Sequence, residues 1–182
     1  MAYIPVPDGV PGIRSLVLFR PETGKHLYDL AQVLLRGESP IPPSERELIA
    51  AYTSSQNHCM FCTMSHAAAS RELFGDNRKI VDRVIENIHT ADLAPKIRAL
   101  LAIAAKVAKS GKEVKPEDIQ NARNHGANDR EIHDTVLIAA TFCMFNRYVD
   151  GLASFTPTDP KAYDEMGVRL ATKGYVLPQN QK

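Results

Sequence analysis

From residue 25 onward, apolar residues recur at three- and four-residue intervals, the pattern of helices that bury one face. Lys25 to Arg36 carries Leu27, Leu30, Ala31 and Leu34 at this spacing, and Gly37 suits the left-handed stop that ends many helices. Pro40, Pro42 and Pro43 enforce an extended link, after which Ser44 is the candidate N-cap of a helix over Glu45–Ser55. The next helix runs from Cys59 to Phe74 and is closed by Gly75. A further one, Asn77–Ile88, places Ile80, Val81, Val84, Ile85 and Ile88 on one face. Pro95–Lys109 is Ala-rich, and Pro116 starts a short helix with Glu117 and Asp118 in its favourable first turn. Asn128 caps a helix over Asp129–Val149, whose stretch Val136–Cys143 is apolar nearly all round and predicts a central buried element. Asp159-Pro160 opens the last helix. No run alternates as a strand would, and no segment repeats.

The first 24 residues differ, with Pro5, Pro7, Pro11 and Pro21 among Gly9, Gly12 and Gly24. They predict an extended arm over residues 1–24, followed by one helical domain over 25–182. The fold class is therefore all-α, a single-domain bundle of about seven or eight helices. The arm also carries Tyr3, Ile4, Val6, Val10, Ile13, Leu16, Val17, Leu18 and Phe19, more apolar surface than a solvated tail exposes. Burial against a second copy would cover it, which predicts a homo-oligomer; the alternative is that the arm folds back over its own helices.

Composition narrows the possibilities. A length of 182 residues suits one domain that needs no disulfide or metal to fold. With 22 Lys+Arg against 21 Asp+Glu, the net charge is +1, so neither nucleic acid nor an anionic membrane is the expected partner. The N-terminus has no signal-peptide pattern, and the longest apolar stretches are about half a membrane span. Three Cys point to a reducing compartment, and the expected location is the cytoplasm.

The chemistry concentrates between Glu47 and His66. At 100° per residue, Cys59, Cys62 and His66 share about a 60° arc of one helix face. Cys62 and His66 are one turn apart, so an imidazole can serve the thiol directly or through a water. A C-x-x-C pair at a helix start is expected to gain thiolate character from the helix dipole and to close an internal disulfide. The competing reading is structural zinc, with His58 as a fourth ligand. That reading is weaker, because all four candidates fall within nine consecutive residues and Ala67-Ala68-Ala69 continues a regular helix. Ser44-Glu45-Arg46-Glu47 fits an S-x-x-E capping box, and from this pattern alone Glu47 reads as a cap. Cys143 reads as inert core packing, and His26, His89, His125 and His133 as surface or capping groups.

Glu47, eleven residues, Cys59-x-x-Cys62, three residues and His66 resemble the signature of the AhpD-like alkylhydroperoxidases of the carboxymuconolactone decarboxylase superfamily. The segments Glu45–Ala50, Ser54–Cys59, Phe19–Thr23, Asn128–Ile132 and Asn146-Arg147 resemble its peroxidase-related branch. The resemblance implies an all-helical fold with the cysteines on a central helix, and a proton relay from Glu47 through His66 to the thiols. It thus makes Glu47 a relay carboxylate before a cap. It implies that Cys62 attacks and Cys59 resolves, whereas the helix dipole alone would favour Cys59. The chain departs from the founding members at Phe61, where they carry a His before the second Cys. The superfamily's decarboxylases lack the cysteine pair, so lactone decarboxylation is not expected here. The expected activity is thiol-dependent reduction of a peroxide at the expense of a thiol or dithiol reductant. A dithiol–disulfide reductase acting on a protein or lipoyl partner and a non-catalytic redox sensor are the alternatives. No cofactor or metal is called for, because sulfur carries both electrons. The resemblance also implies that the homo-oligomer is a trimer or hexamer.

Overall fold

A computed structural model describes residues 2–177. Met1 and residues 178–182, the outer ends of the two predicted segments, lie outside the described residues. The described residues form nine α-helices: α1 Ile13–Phe19, α2 Pro21–Arg36, α3 Pro43–Gln56, α4 Met60–Phe74, α5 Lys79–Asn87, α6 Pro95–Lys109, α7 Pro116–Asn124, α8 Asp129–Gly151 and α9 Pro160–Lys173. The fold is all-α, as the periodicity predicts.

At its centre lies α3, buried without interruption from Arg46 to Ser54 and packed between α4, α6 and α8. Leu48, Ile49, Leu100, Leu101, Ile103, Ile138 and Phe142 fill the space between these helices. A second cluster joins α4 to α9 through Ala68, Ala69, Met166 and Leu170. This approach is close because Gly167 faces the Ala68 backbone, where an added Cβ would come within 2.8 Å.

Several expectations need correction. The predicted arm over 1–24 holds only for residues 2–12, which form no helix. Residues 13–19 are helical, α2 begins at Pro21, and Ser15, Leu16 and Val17 are buried within the same chain. Leu16 and Val17 thus find an intramolecular core, whereas Tyr3 and Phe19 stay exposed, which weakens the reason given for burying the arm against a second copy. Helix α3 starts before Ser44, because Pro43 occupies the first helical position, where its missing N–H costs nothing. Ser44 is therefore no cap. Helix α8 is central but not covered all round: Leu137, Ala140 and Met144 are exposed along one side.

Candidate active site

The link between α3 and α4 is Asn57-His58-Cys59, and its geometry sets the site. The His58 N–H donates to the Ser55 carbonyl at 3.0 Å and the Cys59 N–H to the Ser54 carbonyl at 3.1 Å. These paired bonds close α3 in the left-handed manner usually served by glycine. Here His58 takes that conformation, with φ of 58°, while its side chain is exposed. The closure delivers Cys59 as the N-cap of α4 and Cys62 into its first turn. His66 follows one turn later.

Cys59 is fully buried and Cys62 nearly so; both are free thiols. The Cys62 thiol is held well above its ordinary pKa, first by its hydrogen bond with Cys59 and then by burial. The Asn146 amide from α8 works in the opposite direction. The expected thiolate character is thus overturned. At Cys62 the hydrogen bond with Cys59 and burial outweigh helix-dipole stabilisation.

Glu47 is not a cap. Its carboxylate is completely buried, with Oε2 at 2.7 Å from His66 Nδ1. Oε1 accepts from Arg36 Nη2 at 2.6 Å and from the Tyr175 hydroxyl at 2.7 Å. Burial alone would raise the Glu47 pKa, but His66, Arg36 and Tyr175 together hold it below the ordinary value. Burial, together with the Glu47 charge, keeps Tyr175 a neutral phenol well above its usual pKa, so its O–H donates. Arg36 is fixed in turn by the Leu35 and Leu170 carbonyls and lies 5.5 Å from the Tyr175 ring centroid. Phe142 packs edge-on against the His66 ring at 4.5 Å.

The structure thus brings Glu47, Cys59, Cys62 and His66 together, and adds Arg36, Tyr175 and Asn146, which the sequence reading missed. Arg36 ends α2, Tyr175 follows α9 and Asn146 lies in α8; only the packing of separate helices makes them neighbours. Asn146 is also bonded to Ser54 at 3.0 Å and to Asn57 at 2.8 Å. Cys143 is half-buried rather than sealed in the core, and its sulfur accepts from Asn57 at 3.4 Å. His26, His58, His89, His125 and His133 are exposed, and none joins the site. Among the described residues no group of three or more His, Cys, Asp or Glu is arranged to hold a metal ion.

A narrow, mostly apolar cavity opens onto Cys62 and His66, but Cys59 is not in its wall. The space in which a water-sized sphere can be centred is about 40 Å³. That is enough for a few waters or a slender chain.

The carboxymuconolactone decarboxylase family model matches residues 21–106, a span that includes all four sequence-identified residues. A peroxidase-related protein from Silicibacter sp. TM1040 is 31% identical; the match covers 85% of this chain and 79% of that one, with a TM-score of 0.77. A peroxidase-related protein from Ralstonia eutropha JMP134, described as an alkylhydroperoxidase AhpD core, is 28% identical. That match covers 87% of this chain and 81% of the other, also with a TM-score of 0.77. The debrominase Bmp8 is similar in fold, with 21% identity, coverage of 87% and 83% and a TM-score of 0.70. A comparison with curated proteins found no match.

Proposed function

The chain belongs to the carboxymuconolactone decarboxylase family, on its AhpD-like side, and from that premise we propose that it is a thiol-dependent hydroperoxide reductase. The observation that carries this reading is the buried Glu47–His66 hydrogen bond beside a cavity that reaches Cys62. A cavity-lining thiol held protonated needs a base, and the histidine one turn along the same helix is oriented to be one.

Glu47 accepts the His66 Nδ1–H, which leaves the Nε2 lone pair free; this tautomer follows from the hydrogen bonding. Nε2 takes the Cys62 proton, directly or through a water. The thiolate attacks the distal peroxide oxygen, and the O–O bond breaks. Sulfur is oxidised to a sulfenic acid, and the departing alkoxide recovers the proton from His66 as an alcohol. The Cys59 thiol then attacks the sulfenic sulfur, water leaves and the Cys59–Cys62 disulfide closes. One hydroperoxide and two thiols give one alcohol, one water and one disulfide, which an external thiol or dithiol reduces. The position of Cys62 in the cavity wall, with Cys59 behind it, supports Cys62 as the attacking sulfur.

The test is consumption of tert-butyl hydroperoxide with dithiothreitol as the renewable reductant. Wild type is expected to turn over, and Cys62→Ser to lose about 10²-fold or more. Wild-type consumption no faster than that of dithiothreitol alone would overturn the proposal. Faster reduction of a small disulfide than of the peroxide would replace it with a dithiol–disulfide reductase.

A further inference from the structure

The cavity at Cys62 contains an electrostatic anomaly that the thiol chemistry does not use. Its wall is apolar along Ile13, Leu27, Phe142, Phe145 and Met166, yet two arginines, Arg14 of α1 and Arg169 of α9, also line it. Among the described residues neither guanidinium makes a hydrogen bond or an ion pair with a protein group, and Arg14 Nε is shielded from solvent without a partner. Burial, then the proximity of Arg14, lowers the Arg169 pKa. The Tyr28 phenol lies close to both arginines, but burial keeps it protonated. Glu165 lines the outer side of the same pair, is exposed, and forms no ion pair with either.

Two like charges, partly desolvated and uncompensated among the described residues, are costly unless something of opposite sign occupies the space between them. A planar guanidinium pair matches a carboxylate. The rest of the wall matches hydrocarbon, and the small volume favours an unbranched chain over a bulky one. We infer that the cavity takes straight-chain carboxylic acids, with the carboxylate held by Arg14 and Arg169 and the chain lying along the apolar wall toward Cys62. Resting on the peroxidase reading for its reactive end, this makes the substrate class the hydroperoxides of such acids. Reduction at Cys62 then yields the corresponding hydroxy acid and water, with both electrons from the thiol pair.

The anion site can be tested without turnover. Decanoate, decanol and acetate are titrated into the reduced protein by calorimetry. Decanoate is expected to bind at least about tenfold more tightly than either of the others, the scale of one hydrogen bond to a charged group. Arg14→Ala and Arg169→Ala should each remove about tenfold of that affinity, and Arg14→Lys and Arg169→Lys should restore part of it. Decanol binding as tightly as decanoate overturns the inference. So does acetate binding as tightly, since the arginines would then be a general anion site without a chain channel. Turnover of tert-butyl hydroperoxide with no decanoate preference would sink this inference alone. Decanoate preference without any hydroperoxide turnover would sink the peroxidase reading and leave the carboxylate site standing.

Discussion

His66 receives its orientation from a carboxylate that is itself held by two further donors, Arg36 and Tyr175, so the consequences of single substitutions are graded. His66→Ala removes the base and is expected to lower peroxide turnover by about 10²-fold or more without unfolding the Ala-rich helix around it. Tyr175→Phe removes only one bond to Glu47, and about a tenfold loss is expected. Because that bond lowers the Glu47 pKa, its removal should also move the acid limb of the pH–rate profile to higher pH. Turnover and profile both unchanged in Tyr175→Phe would show that the phenol is structural only. The cysteines give a separate expectation. Since Cys59 and burial hold Cys62 protonated, its alkylation by iodoacetamide should be slow at pH 7 and rise with a midpoint above the ordinary 9.0. A rate already at its plateau at pH 7 would contradict this. Cys59, Cys62 and His66 were legible in the sequence because all three lie on one helix, where spacing fixes the face. Arg36 and Tyr175 were not, since no local pattern shows which helix end meets which.

Among the elements, α2, α5 and α6 are legible from an apolar face, and the central α3, α4 and α8 from their apolar content and the Pro, Gly and Asn residues that mark their ends. The short α1 was missed for a physical reason. Seven residues form no stable helix alone, and this one depends on tertiary burial of Leu16 and Val17. Its entry is fixed by Gly12, with φ of 55°, whose N–H bonds the Phe155 carbonyl at 2.8 Å. A Cβ at Gly12 would lie 2.0 Å from the ring of Phe61, the residue between the two cysteines. Gly12→Ala is therefore expected to destabilise the protein by about 1–3 kcal/mol, through strain and overpacking against Phe61. Chemical denaturation checks it, and an unchanged midpoint would mean that α1 is not anchored as described. The capping-box reading of Glu47 failed similarly: a helix start was inferred at Ser44, whereas Pro43 moved it earlier and the packing of α2 and α4 claimed the carboxylate.

For the whole molecule, the buried ion cluster ties stability to pH. The Glu47 pKa is lowered on folding, so its contribution is present above the ordinary 4.5 and is lost as pH falls through the folded value. Stability should decline below pH 4.5, less steeply in Glu47→Gln; identical slopes in the two proteins would contradict the linkage. Assembly is a separate expectation. With Leu16 and Val17 buried in their own chain, Tyr3 and Phe19 remain exposed, and a trimer or hexamer is expected from the resemblance to the AhpD-like alkylhydroperoxidases. Light scattering at micromolar concentration should give three or six times 20.1 kDa. A stable monomer would refute it.

In the proposed reaction Cys59 and Cys62 take up the two oxidising equivalents of a hydroperoxide. Its most direct measurement is peptide mapping by mass spectrometry after the fully reduced protein has met one equivalent of alkyl hydroperoxide. One Cys59–Cys62 disulfide per chain is expected, with Cys143 still a thiol. Oxidation found mainly at Cys143, or a Cys59–Cys62 pair left reduced while the peroxide disappears, would contradict it.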